Sequence, residues 1–285
     1  MATLAFDHAV IYVPNLDQAI EEFTAMGFNV ELGGEHAHTH NALIIFNDLS
    51  YIELLSLKPS WYRRLLAIAA KVGLIDLFAQ GKSDISWRIM RWIGNNYGPI
   101  DWALRTDNIE AILARLKASN IPLLDSQIYS RTRMDGELVK WCMGSAKNTD
   151  LPFLIQDQTA IDLRIPLGDH TRHPNGALGI QKITKAVQDT LSASRNLQTL
   201  LAVPVEAGSS EDISFVLANT NLTITKLERR LGILSLELSY KGSERRLLNE
   251  SNTTDWQLWL AQITNIIFPC LTMKNSVNEL LIKAF

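Results

Sequence analysis

Cysteine is scarce in this chain. Cys142 and Cys270 are the only two in 285 residues, too few for a disulfide framework. Neither stands in a CxxC pair or beside a histidine, so a reduced, cytoplasmic setting is expected. Charge of one sign is also lacking: 27 Lys and Arg face 30 Asp and Glu, with no concentrated basic stripe. That excludes the footprint of a nucleic-acid binder, while a local anion pocket stays open. Long apolar runs are missing as well. The most apolar stretches, 64–78 and 258–271, are interrupted and shorter than the ~20 residues a membrane-spanning helix needs. The opening MATLAFDHAVIYV has no basic n-region and no signal-like apolar core before Asp7, so no membrane partner is expected. Patterns of the GxGxxG, P-loop, GxSxG and HExxH types are absent, which argues against nucleotide, serine-hydrolase and zincin chemistry.

What the sequence does have is a repeat. FDHAVIYV (6–13) alternates like a strand and ends at Pro14; LDQAIEEFTAMG (16–27) places Leu16, Ala19, Ile20, Phe23 and Met26 at helical spacing and stops at Gly27. A short strand (28–32), then THNALIIFN (39–47) and YIELLSL (51–57), complete β-α-β-β-β. The same order returns with PIDWALRT (99–106), an amphipathic helix over 108–120, and strands around 121–131, 137–145 and 151–157. Asn15-Leu16 recurs as Asn108-Ile109, an offset of about 93 residues, and a repeat specifies the fold twice. A weaker third echo starts at LGIQKITKAV (178–187), followed by a helical stretch and strands at 211–219, 222–228 and 233–240. The expected organisation is therefore module one (1–57), a helical insertion (58–98), module two (99–157), a crossing segment (158–177), and a partial third module whose tail, 254–283, reads as helical despite Pro269. The fold class is α+β, with paired βαβββ modules forming a curved, cup-like mixed sheet.

Glu53 stands out. It lies in a strand that otherwise reads as buried, and an isolated carboxylate there must neutralise, find a partner or face a cavity. Strand parity puts it on one face with Tyr51, Leu55 and Leu57; His8 shares a face with Phe6, Val10 and Tyr12, and His40 with His38, Ala42 and Ile44. A histidine and a glutamate converging inside a curved sheet make a neutral hydrogen-bonded pair, an ion pair, or two ligands of a divalent metal. A lone strand histidine is ordinarily a satisfied core or rim residue, and HPNG (173–176) is ordinary turn chemistry. The aromatic and cationic residues Trp61, Trp87, Trp92, Trp102 and Trp141 with Arg63, Arg64, Arg88, Arg91 and Arg105 read either as a ligand-holding wall or as packed tryptophans with solvated arginines. Arg131 and Arg133 are expected exposed at a strand end, near a hairpin at Asp135-Gly136.

The DH of the first strand, YIEL of the fourth, and "DHAVIYVPNLDQAIEEF", "THNALIIFNDLSYIELL", "LPFLIQ" and "HPNGALGI" together resemble a glyoxalase-like domain family of the vicinal-oxygen-chelate superfamily, which holds glyoxalase I, extradiol dioxygenases and bleomycin-resistance proteins. The resemblance covers about residues 4–187 and implies two modules closing into a cup, with metal ligands from the first and fourth strands of each. Carried over, it implies His8 and Glu53 as ligands of a divalent ion (Zn, Mn, Fe or Ni), His173 as a third ligand, and Glu53 doubling as catalytic base. His40, Gln156, Trp102 and Tyr51 are the implied substrate contacts. The second module departs from the pattern: the counterparts of His8 fall near Asp101 and Trp102, and that of Glu53 near Ile155 or Gln156. The implied activity is that of a metal-dependent lyase, isomerase or dioxygenase acting on a small oxygenated metabolite. The rival is non-enzymatic sequestration of a small molecule, as in the bleomycin-resistance branch. A homodimer is the expected assembly.

Overall fold

The computed structural model describes residues 3–35, 39–58, 82–94, 97–133, 135–203, 212–227, 232–242, 244–249 and 256–262, with isolated positions between 65 and 74. The first module opens with β1 (Leu4–Tyr12) and runs into Asn15, whose Oδ1 accepts the Gln18 N–H at 3.2 Å and so caps α1 (Leu16–Ala25). Such a cap satisfies an orphan amide and is worth about 1 kcal/mol. Leu16, Ala19 and Phe23 form the buried face of α1. The helix ends because Gly27, at φ +86°, takes the left-handed turn: its N–H donates to the Thr24 carbonyl, and Phe28 N–H to that of Phe23. Phe28 is thereby drawn into the core, so the strand expected over 28–32 starts later, as β2 (Glu31–Glu35). It runs through Gly33, where a Cβ would overlap the Asn41 side chain. β3 (Thr39–Ile45) and β4 (Tyr51–Leu57) follow.

Within the 58–98 segment the helix α2 (Ser86–Gly94) is described. The second module repeats the first: β5 (Gly98–Thr106), α3 (Ile109–Ala118) capped by Asn108 on the Ala111 N–H at 3.0 Å, β6 (Leu123–Thr132), β7 (Leu138–Ala146) and β8 (Phe153–Asp157). All eight strands form one sheet in the order β2-β3-β4-β1-β5-β8-β7-β6. β1 and β5 pair antiparallel at its centre, while β4 runs parallel to β1 and β8 parallel to β5. The short helix α4 (Ile161–Arg164) and a 3₁₀ turn (Asp169–Thr171) lead out of this sheet.

A second sheet is built by β9 (Ala177–Val187), β10 (Asp212–Val216), β11 (Asn221–Lys226), β12 (Gly232–Tyr240), β13 (Arg246–Leu247) and β14 (Gln257–Gln262), in the order β10-β11-β9-β12-β14-β13. Its helix α5 (Thr190–Leu201) is again capped by an Asx side chain, Asp189. Two expectations change here. The 233–240 strand pairs antiparallel with β9, as β5 does with β1, so it opens a fourth, trimmed unit rather than closing the third. The tail is not helical where it is described: Gln257–Gln262 is β14, parallel to β12 with Leu258 fully buried, while 263–283 and Pro269 lie outside the described residues. A segment whose apolar side chains are claimed by a neighbouring strand's ladder takes that ladder's geometry over its own helical spacing.

The helix-bearing faces of both sheets merge into one core around Phe6, Ile52, Trp102, Leu104, Ile183 and Leu236. The other, concave face of the first sheet carries two smaller apolar clusters. Val10, Leu55, Ala103 and Phe153 pack under Ile85 and Ile89 at the start of α2; Leu43, Ile45 and Tyr51 pack under Ile161 and Ile165 beside α4. Between them lies a strip of polar groups. Among the described residues no helix is long and apolar enough to cross a membrane.

Candidate active site on the concave face

β1 carries a register shift against β5 between Phe6 and His8. The extra residue is Asp7, and a bulge of this kind re-aims side chains. Next to the slip, the backbone of Phe6 is held from the second sheet. Asn219 accepts the Phe6 N–H at 2.8 Å and donates through Nδ2 to the Phe6 carbonyl at 3.1 Å. Asp7 and His8 are consequently both available to the same set of partners.

Asp7 is fully buried and surrounded by donors. Arg164 Nη1 and Nη2 reach its two oxygens at 3.0 and 2.8 Å, Arg105 Nη1 lies at 3.2 Å, and His8 Nδ1 at 2.7 Å. Burial by itself would raise this carboxyl, but the Arg164 charge and the hydrogen bonds from His8 and Arg164 outweigh it and hold it well below the usual carboxylate range. A permanently ionised acceptor at Nδ1 fixes the imidazole proton there. His8 Nε2 is left on the Glu53 side, 3.6 Å from Oε2 and too far for a hydrogen bond between them. The ring is stacked on Tyr51 (centroids 4.4 Å apart) and met edge-on by Phe153 at 5.2 Å.

Glu53 is tolerated because its strand position is not sealed: its side chain keeps 18 % exposure, and Asn41 Nδ2 donates to Oε1. Gly33 gives Asn41 the space to do so. Arg164, the last residue of α4, joins the other side of the site. Besides Asp7 it binds Asp157 through Nε (2.5 Å) and Nη2 (2.9 Å), and donates to the Tyr51 hydroxyl at 3.2 Å. Burial, then the Asp7 charge, pushes the Tyr51 phenol well above its ordinary value, so it stays protonated. Arg105 is steadied by the Leu49 carbonyl at 3.0 Å, which Leu49 presents from a left-handed conformation (φ +65°) that costs a non-glycine residue about 1–2 kcal/mol.

Four of the expected site residues lie elsewhere. His173 does not reach the concave face: its Nδ1 accepts the Asn29 N–H and its Nε2 donates to the Ile45 carbonyl, both at 3.1 Å, between Phe28 and Phe46. Burial lowers its pKa, and with both nitrogens committed it is a neutral staple holding HPNG against the end of α1. Asn175 of the same turn bonds the Met26 carbonyl. Gln156 points to the helix side, where Oε1 accepts the first amide of α3 (Ile109, 2.9 Å). Trp102 is fully buried in the helix-side core, its Nε1 without a partner. His40 pairs in register with Ser56, on the face opposite Glu53, whereas Asn41 is the β3 side chain that enters the site. Tyr51, His8 and Glu53 are the three brought together. Sequence reasoning missed Asp7, Asn41, Arg164, Asp157 and Arg131. The DH dipeptide was a signal for Asp7, but regular alternation sends its side chain to the wrong face unless a bulge is known.

The expectation of solvated arginines also fails. Arg88 is fully buried and clamps α2 to the second module through Asp101 (Nε, 2.8 Å), Ser145 and the Leu151 carbonyl. Arg131 is half-buried, with Nη2 on the Arg164 carbonyl at 3.3 Å. Arg91 stacks on Trp87 at 4.9 Å. Trp61, Arg63, Arg64, His36, His38 and the Trp92 side chain lie outside the described residues.

The sequence pattern of the glyoxalase-like domain matches residues 6–201. The chain belongs to this family. The match and the paired βαβββ modules bear out the vicinal-oxygen-chelate resemblance. No curated protein matches the sequence. Among solved structures, a hypothetical protein from Staphylococcus aureus superposes with a TM-score of 0.70 at 17 % identity, over 91 % of this chain and all of the other. A Mn(II)-bound glyoxalase from Novosphingobium aromaticivorans gives 0.48 at 11 % identity, over 84 % of this chain and 66 % of that one. An extradiol ring-cleaving dioxygenase from B. fuscum gives 0.46 at 11 %, over 83 % and 57 %. At these identities the likeness is one of fold.

The donor set of this glyoxalase-like chain differs from a four-ligand metal site. His8 lies opposite Ala103 across β1 and β5, and the β8 residues paired with β5 are Phe153, Leu154 and Ile155, so no second His/Glu pair joins from these positions. Among the described residues no group of three His, Cys, Asp or Glu side chains converges to hold a metal.

Proposed function

We propose that the concave face binds a small oxygenated metabolite and that His8 moves a proton on it as general base. One observation carries this reading. The 2.7 Å hydrogen bond from His8 to a buried, ionised Asp7 leaves Nε2 as a lone-pair acceptor on the side of the ring that faces the partly exposed Glu53. A carboxylate behind an imidazole fixes its tautomer and stabilises the imidazolium that forms when it takes a proton. Tyr51 and Phe153 hold the ring in plane, and Glu53, anchored by Asn41, stands ready to stabilise the same imidazolium or to pass the proton on. Abstraction of a proton beside a carbonyl, as in an isomerase or lyase step, suits this arrangement.

The test is the ¹⁵N spectrum of the histidine-labelled protein. His8 is expected as the Nδ1–H tautomer; an Nε2–H tautomer would overturn the proposal.

A second reading is metal-assisted. A spacing of 3.6 Å between Nε2 and Oε2 suits joint ligation of one divalent ion at about 2.0–2.2 Å from each, with water and substrate oxygens completing its sphere. Polarisation of substrate oxygens is the chemistry such an ion supplies. Elemental analysis of the wild type beside His8→Ala and Glu53→Gln decides this: about one divalent ion per chain, lost in both variants, supports the reading. No metal after incubation with Mn, Zn, Fe and Ni leaves His8 as a metal-free base. Retained ligand binding without turnover would instead support the sequestration role known from the bleomycin-resistance branch.

A further inference from the structure

The arginines around the concave face are nearly all matched to carboxylates. Arg164 holds Asp7 and Asp157, Arg105 holds Asp7, Arg88 holds Asp101, and Arg133 holds Asp135. Arg131 is different. It stands on β6 opposite Val139 of β7, and its electrostatic neighbours are Tyr51, Arg164, Arg133 and Glu53. Among the described residues it forms no ion pair. Its single hydrogen bond is the long one to the Arg164 carbonyl, and its Nε–H is buried with no acceptor. A guanidinium prefers a planar acceptor that takes two N–H bonds at once, and a buried N–H left without one is rare in a native fold.

The charge count narrows the ligand. Around the Tyr51–Glu53 end of the site, Asp7 and Asp157 are neutralised by Arg164 and Arg105, and Glu53 is bound by a neutral amide. Arg131 is the cation of this set with no carboxylate in contact, and anionic Glu53 among its neighbours balances it, so these three carboxylates and three arginines sum to zero. To that balanced set a monoanion adds one negative charge, whereas a dianionic phosphate adds two beside Glu53 with no further cation to offset them. We propose that Arg131 anchors a carboxylate group of the substrate and so sets the specificity of the site for a small organic acid. The inference rests on the concave face being the substrate site, as proposed above.

The test titrates the full-length, ¹⁵N-labelled protein with carboxylates of two to six carbons (acetate, pyruvate, oxalate, succinate, citrate) and with inorganic phosphate, following amide and histidine shifts. At least one carboxylate is expected to bind in the millimolar range or tighter, with shifts at β6 and β4, and more tightly than phosphate. Arg131→Met is expected to weaken it at least tenfold while leaving the melting temperature unchanged or raised, because an unsatisfied buried N–H is removed. Arg131→Lys, which keeps the charge, should fall between. Failure of every carboxylate to bind, phosphate binding more tightly, or equal affinity in Arg131→Met would each overturn the proposal. So would a melting temperature lowered by several degrees in Arg131→Met with affinity retained, the mark of a structural arginine. The same labelled sample keeps the two readings apart. An Nε2–H tautomer at His8 removes the base but not the anchor, whereas an Nδ1–H tautomer with carboxylate binding indifferent to Arg131 removes the anchor alone.

Discussion

Asp7→Asn would change one atom and disturb three residues. Asp7 is the only described carboxylate that touches Arg164, Arg105 and His8 together, and it has no exposure to solvent. Removing its charge leaves Arg164 buried with Asp157 as its remaining anion and Arg105 with only a carbonyl. Breaking one side of a buried pair costs about 3–5 kcal/mol. The asparagine oxygen will settle where two arginine donors meet, at the position of Oδ2, which turns its amide toward His8 Nδ1. The imidazole proton must then move to Nε2. Urea unfolding of the two proteins at pH 7 should show a stability difference of about 3–5 kcal/mol with an unchanged m-value. The pH dependence has a fixed sign. The folded-state pKa of Asp7 is depressed, so its contribution is fully present above the unfolded value near 3.9 and is lost as pH falls toward the folded one. The gap between wild type and variant should therefore close below about pH 4. A difference under about 1 kcal/mol, or one that does not shrink with acid, refutes the reasoning.

Other substitutions probe the supports of the site. His173→Ala leaves the Asn29 amide and Ile45 carbonyl unpaired and should cost about 1–3 kcal/mol in chemical denaturation. Because burial lowers the His173 pKa, its contribution is present above the unfolded value of about 6.5 and is lost as pH falls below it toward the folded one; the variant's stability curve should be flatter on the acid side of about pH 6.5. Gly33→Ala forces a Cβ into the Asn41 side chain and should release Glu53, at about 1–3 kcal/mol, with Asn41 amide shifts as the readout. Arg88→Met strands Asp101 in the core; a loss of about 3–5 kcal/mol, with faster hydrogen exchange across Ser86–Gly94, is expected.

Much of the fold was legible because it is written more than once. Asn15, Asn108 and Asp189 each cap a helix just after a strand, so the local rule alone marks the start of three modules. The approach of His8 and Glu53 was legible from chemistry, since Glu53 had no apolar excuse for its strand. What escaped depended on contacts distant in sequence. Asp7 and His8 share partners only because β1 slips by a residue on β5, and no local pattern announces that slip. His40 and Asn41 are neighbours, and which one enters the site is decided by β3's register on β4. HPNG looked equally suited to a turn or a ligand; its docking on Met26 and Gly27 settled its part. Gln257–Gln262 has helical spacing and is a strand because β12 lies beside it.

Asn219 gives the second sheet a part in the first sheet's chemistry. The glyoxalase-like match ends at residue 201, yet the side chain that holds the Phe6 backbone beside Asp7 lies 18 residues beyond it. The matched portion of the chain and the set of residues that support the candidate site are thus not coextensive. A graft of residues 6–201 into another protein would carry His8, Glu53 and Asp7 but not Asn219, which braces the adjoining Phe6. Conversely, alterations in the β10–β11 turn bear on the first sheet through two hydrogen bonds to the backbone of a single residue, Phe6, next to Asp7.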